Sequence, residues 1–453
     1  MSVSSALADL AERAAAIELQ EVPVPLREYA ALVFADTVGV IMAGTIQEEM
    51  AALLGATTLL GIHRSSSRRP HPVVLSPGYP AAPPVIAAMI NSAAATTLEL
   101  DEGVRPTGHP SAHIVPAVLA AGQAGGNGGA EVLEAFLSGY EVAARLFEAL
   151  ELKPTVHPHG NLGTVGAAVA VARLRGISPA AAALAAAALP VSGTWEACYE
   201  GATMRSFYTG LGAATAITAT ELAGSGFTGT VASISGRTNG ISRRIRDLGA
   251  LTAAIDPSEL RIASNYLKLH SACALSHSAI DAVLSMGRLD PAQVRDIEVE
   301  TCERSMRLAR SSAGNPLSAR FSLPYAVAAA AIFGRASQEV FLPDDAVAEL
   351  ASRVIVRSSP AMSARWPEAL PARVTVNLLT GTRLQRHVDN PRGHFTNRPD
   401  PEAVRQKFLQ LSWAQRAPEL HTRLLGIAQE ENVFGLFVET SGRTRAPKPR
   451  PQG

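Results

Sequence analysis

Apolar residues in the first half of the chain recur in long runs with helical spacing, not in alternation. Residues 5–20 pattern as an amphipathic helix and 25–44 as a longer, mostly buried one. Helices are expected next at 84–97, 110–122, 130–150, 163–174, 179–189 and 210–223, most of them bounded by Gly or Pro. Residues 63–84, rich in Ser, Arg, Pro and Gly, read as a loop around one apolar run at 73–75. After about residue 265 the character changes. Residues 291–301 alternate as a strand, 372–379 do so before Thr380-Gly381, and 354–357 are a third candidate. Helical segments at 277–286, 322–333 and 344–351 interleave with them, and helical patterning returns over 401–435. The expected fold is mainly α, with a large all-helical domain (1–265 with 405–440) and a smaller α+β domain (266–404). Residues 441–453 pattern as a disordered tail.

Composition narrows the class. The 453 residues suffice for two domains and a large core. Hydrophobic residues reach 47% with only 5% aromatic, so helices are expected to pack through small side chains. Forty basic residues cancel forty acidic ones, and no basic run suggests nucleic-acid binding. Cys198, Cys273 and Cys302 lie far apart without CxxC spacing, which argues against a disulfide scaffold or structural zinc and fits a reducing compartment. No signal peptide pattern or membrane-spanning run is read, so a cytoplasmic enzyme without membrane contact is expected. Lysine occurs only at 153, 268, 407 and 448, so an apolar-flanked lysine stands out.

Candidate chemistry concentrates at 98–116. Glu99, Asp101 and Glu102 precede a loop punctuated by Gly103, Pro106 and Gly108. His109 directly precedes Pro110, a favoured first helical residue, which places His109 at a helix N-cap beside free N–H groups suited to an anionic group. His109 and His113 have i, i+4 spacing, but H-E-x-x-H is absent and Pro110 loosens the geometry, so His113 is read as packing or capping and no metal is expected. His157 and His159 sit in a second loop before an Ala/Gly-rich helix, where a histidine can act as acid or base. Arg205 is a candidate carboxylate clamp, with an exposed surface arginine as the alternative. Lys268 lies among apolar residues at the domain junction, where clefts commonly bind ligands. Tyr325 is a secondary candidate, a packed aromatic or a proton donor. His277, paired in sequence with His270, joins Arg205 and Tyr325 as a candidate substrate-binding residue. No P-loop, GxGxxG after a strand or GxSxG elbow is present, so nucleotide cofactors and serine hydrolysis have no support. What remains is an acid/base site with cations for a carboxylate substrate.

These motifs together resemble the MmgE/PrpD family, which includes 2-methylcitrate dehydratase, cis-aconitate decarboxylase and iminodisuccinate epimerase. The resemblance runs through nearly the whole chain: FADTVGVIMAG, LELDEG followed by GHPSAHIVPA, SGYEVAARL, HPHGNLGTVGAA, MRSFYTG, YLKLHSACALSHSAIDA, ARFSLPYAVAAA and DNPRGHFTNRPDPEAVRQKF. It implies that the α+β domain acts as a lid, that the protein forms a homodimer, and that no metal or cofactor is required. Carried over by position, the site would use Asp101, His109, His157 and Lys268, with Tyr325 nearby. Two departures stand out. The family's dehydratases and decarboxylases usually read Asp-Phe-Asp-Asp-Thr where this chain has Glu99-Leu-Asp-Glu-Gly103, so a hydroxyl is missing; Arg205 stands where they carry a lysine. The resulting expectation is a lyase acting on a small di- or tricarboxylate by proton abstraction alpha to a carboxylate, 2-methylcitrate dehydratase-like. The alternatives are an epimerase or isomerase, a decarboxylase, or a family member that has lost activity and serves in binding.

Overall fold

Proline in the first turn starts many of the helices, because its fixed φ suits that position and its missing N–H costs nothing there. The helices Val24–Thr45, Pro84–Thr97, Pro110–Gly125, Pro179–Ala187, Leu323–Phe333 and Pro401–Leu411 all begin this way. Glycines in the left-handed conformation close several of them: Gly126 (φ +73°), Gly176 (φ +65°) and Gly334 (φ +65°). A computed structural model describes residues 2–55, 61, 71–236, 238, 240–310 and 313–438 of the chain. Part of the expected loop at 63–84, and the whole expected tail at 441–453, lie outside these residues.

The fold is mainly α with a smaller α+β part. One hydrophobic core runs from Ala6 through Leu267 and resumes from Val404 to Phe437, so the C-terminal helices pack back onto the N-terminal bundle. Its helices touch closely. A Cβ on Gly139 would lie 2.5 Å from the Gly166 carbonyl oxygen, and one on Gly166 would lie 2.3 Å from that of Gly139. The Gly129–Ala149 and Leu162–Arg175 helices therefore meet backbone to backbone, as an alanine- and glycine-rich sequence permits.

A second core gathers residues 272–376 around a four-stranded sheet and also takes in Trp195 and Cys198 from the helical half. The strands are β3 (Val294–Thr301), β4 (Val354–Ser358), β5 (Ala372–Leu378) and β6 (Arg383–Val388), in the order β4-β3-β5-β6. β4 runs parallel to β3, and the other pairs are antiparallel. The alternation that predicts β3 and β5 puts Val294, Ile297, Val299, Val374 and Val376 into this core. β6 is not visible in the hydrophobic pattern, because Arg383, Gln385, Arg386 and His387 are exposed and only Leu384 and Val388 pack against the second core.

The helical half also carries a short antiparallel pair, β1 (Leu150–Leu152) with β2 (Ser242–Ile245). Leu150 and Leu152 continue the apolar run of the preceding helix, which hides the break. A satellite cluster of Val40, Ala43, Leu98, Leu100 and Leu411 holds the start of the acidic loop between the Val24–Thr45 and Pro401–Leu411 helices. No single helix among the described residues is long and apolar enough to cross a membrane.

Candidate active site

The acidic loop is held residue by residue. Leu98 and Leu100 point into the satellite cluster, so the intervening Glu99 and Asp101 face the opposite way. The backbone carbonyls at alternate positions accept hydrogen bonds: Thr96 from Arg205, Leu98 from Ser271 and Leu100 from Lys407. Gly103 exchanges both backbone hydrogen bonds with Tyr266. Glu99 itself has φ +53°, a left-handed conformation that costs a non-glycine residue about 1–2 kcal/mol. It turns the carboxylate between two cations, where one oxygen pairs with Arg205 and the other lies 3.1 Å from Lys268 Nζ.

Lys268 also reaches Asp101 Oδ1 at 3.1 Å, and all four groups are buried. Burial would lower the Lys268 pKa, but Asp101 and Glu99 outweigh it and raise it. Burial would likewise raise Asp101, but Lys268 and His109 hold it well below the usual carboxylate range. Two carboxylates and two cations thus balance. Arg205 is neither an exposed surface arginine nor an open clamp, because its terminal nitrogens serve Glu99 and the Thr96 carbonyl. Among the described residues its Nε has no hydrogen-bond partner. Lys268 uses two of its three N–H donors and keeps one.

His109 caps the Pro110–Gly125 helix, as Pro110 predicts. Its Nδ1 lies 2.7 Å from Asp101 Oδ2 and 2.8 Å from the Glu102 carbonyl, both acceptors. That nitrogen therefore carries a proton, which makes Nε2 the basic nitrogen of the neutral ring. In the other loop His157 Nδ1 accepts the His159 backbone N–H at 3.3 Å, which puts the proton of the neutral ring on Nε2. Burial pushes His157 and His159 well below the ordinary imidazole value, with His159 and Arg205 adding to the effect at His157. One ring is arranged to take a proton and the other to offer an N–H.

His113 does not chelate. It accepts the Gly160 N–H through Nε2 (2.8 Å) and bonds the His109 carbonyl through Nδ1 (2.9 Å), tying the two histidine loops together. The free N–H groups expected at this helix start are not open to a substrate either. Glu102 fills that place, its Oε1 2.6 Å from Ser111 N and its Oε2 accepting from Tyr140. Burial raises the Glu102 pKa to about 7.

A raised carboxyl pKa binds extra protons in the folded state, so its contribution to stability is complete below about pH 4.5 and is lost as pH rises through about 7. Thermal melts of Glu102→Gln are expected to lose that part of the pH slope between about pH 4.5 and 7, on the order of 3 kcal/mol at 1.36 kcal/mol per pKa unit. An unchanged slope would assign the titration elsewhere.

The partly open cavity between the two cores holds about 40 Å³ of space open to water. Glu99, His109, His157, Arg205 and Lys268 line it, together with Arg105, Trp195, Tyr266, Arg304 and Trp366. Asp101 stands behind His109. Tyr325 and His277 do not line it. The Tyr325 hydroxyl donates to the Leu342 carbonyl at 2.6 Å within the second core, and the buried His277 bonds the Ala272 carbonyl through Nε2 at 3.0 Å, so both rings are committed to internal packing. Arg105 follows the acidic loop directly and His159 shares a motif with His157; both signals were present in the sequence. Tyr266 explains the missing hydroxyl at 103, since a Cβ on Gly103 would come within 2.5 Å of its phenol oxygen.

Asp101, His109 and His159 bring one ligand atom each within 4.8 Å of one another, the spacing of a metal site. The Lys268 ammonium on the same carboxylate opposes a dication there, and His109 Nδ1 would have to give up its proton.

Residues 8–247 match the MmgE/PrpD N-terminal domain, and residues 270–423 match the MmgE/PrpD C-terminal domain. Cis-aconitate decarboxylases from Mus musculus and Homo sapiens are each 33% identical over 104 residues, 21% of this chain and 21% and 22% of their own lengths. The chain thus aligns with about a fifth of these curated relatives. The family includes lyases such as dehydratases and decarboxylases. Two domain matches in order, with the acidic loop and both histidine loops inside the first and the whole four-stranded sheet inside the second, place this chain in the MmgE/PrpD family.

Proposed function

We propose that the protein is a cofactor-independent lyase that removes a proton alpha to a carboxylate of a small di- or tricarboxylic acid, in the manner of a dehydratase. The observation that carries this reading is the Asp101–His109 pair opening onto the cavity, with Nδ1 committed to Asp101 and the Glu102 carbonyl. Asp101 orients the ring and stabilises the imidazolium formed when His109 takes the proton. The remaining Lys268 N–H and Arg205 Nε–H are available to the oxygen on which charge develops. The His157 Nε2–H can hydrogen-bond a departing hydroxyl group, and the proton His109 has taken converts that group to water. Convergence of these groups in one cavity supports an enzyme over an inactive binding relative.

Similarity to the two decarboxylases favours a second reading, in which a carboxylate leaves as CO₂ from the same electrophilic surroundings. Return of the proton to the opposite face would give epimerisation. Incubation with citrate-, aconitate- and aminosuccinate-like acids in deuterated water separates the three. Loss of water is expected for the dehydratase reading. CO₂ release without water loss would replace it with the second, deuterium uptake without either would indicate epimerisation, and inertness toward every acid would sink the enzyme reading.

A further inference from the structure

We propose that Arg105 is the specificity-determining residue that receives a second carboxylate of the substrate, at the side of the cavity formed by Tyr266 and Trp366. The inference rests on the reading of the cavity as an acid-binding site. It follows first from charge. Glu99 and Asp101 already neutralise Arg205 and Lys268, and burial keeps His157 uncharged, so the inner groups offer an incoming anion no net attraction. Arg105 and Arg304 line the same cavity and form no ion pair among the described residues.

The second argument is the geometry of the guanidinium. Arg105 Cζ lies 4.8 Å from the centre of the Tyr266 ring and 4.8 Å from that of Trp366, so two aromatic contacts use its faces. Such contacts leave the in-plane N–H groups untouched. Nε and Nη2 are shielded from bulk water and, among the described residues, have no hydrogen-bond partner. These two nitrogens form the side-on fork whose parallel N–H groups match the two oxygens of a carboxylate. A buried guanidinium held by aromatic rings with its fork unmet is costly unless an anion completes it. Burial already lowers its pKa. Arg304, 5.7 Å from the Trp366 ring, adds a second positive charge beside the same indole.

Isothermal titration with succinate, and with succinamate in which one carboxylate is an amide, tests this without relying on turnover. Wild-type protein is expected to bind succinate at least about tenfold more tightly, and Arg105→Met to lose most of that preference while its succinamate affinity changes less than about twofold. Arg105→Lys, which keeps the charge but not the fork, is expected to fall between them. Both variants are checked by thermal melting, and the lysine variant serves if the methionine variant does not fold. Equal losses for both ligands, no loss, no wild-type preference, or no wild-type binding of either acid would overturn the assignment. The panel in deuterated water reports separately on the lyase reading, so either can fail while the other stands.

Discussion

His109→Asn is expected to lower turnover by about 10³-fold, within the 10²–10⁴ range of a positioned general base. The melting temperature should change little, because Asn is itself a good N-cap residue and Pro110 still starts the helix. Asp101→Asn should lose a comparable factor, since an amide can present an N–H toward Nδ1 and favour the wrong tautomer. Steady-state rates on whichever acid the panel identifies, beside thermal melts of both variants, check this. Activity within tenfold of wild type in His109→Asn would remove the residue from proton transfer.

Lys268→Met is expected to cost both stability and activity. It leaves Glu99 and Asp101 buried with one cation between them, and breaking a buried pair by removing one partner typically costs about 3–5 kcal/mol. Turnover should fall by at least about 10²-fold through loss of a donor at the developing charge. The double variant Glu99→Gln/Lys268→Met restores the charge balance. It should recover part of the melting temperature but none of the activity. Recovery of both together would make the lysine purely structural.

Much of the helical framework could be read from the sequence because proline and glycine punctuate it: 84–97 is expected and Pro84–Thr97 is found. The edge strand β6 could not be read, since Leu384 and Val388, four positions apart among exposed polar residues, make no alternating pattern. At the site, breakers beside His109 and His157 and the scarcity of lysine around apolar-flanked Lys268 pointed to these residues, and all three reach the cavity. The sequence could not show that Arg205 and Lys268 converge on Glu99, because 106 and 169 residues separate those pairs. For the same reason Arg205 read as a clamp for substrate when its partner is internal. His277 and Tyr325 were attractive as polar rings in matching stretches, yet their hydrogen bonds go to nearby backbone carbonyls.

The cavity's 40 Å³ suits a few water molecules, at ~10–15 Å³ for each, and not a six-carbon acid. Its walls come from two separately packed hydrophobic bodies, so admission of such a ligand requires them to breathe apart along their shared boundary. Such openings need less free energy than melting either body. Warming or mild denaturant should therefore first loosen the gap and uncouple the reacting groups, so that catalysis fades reversibly while both halves remain folded.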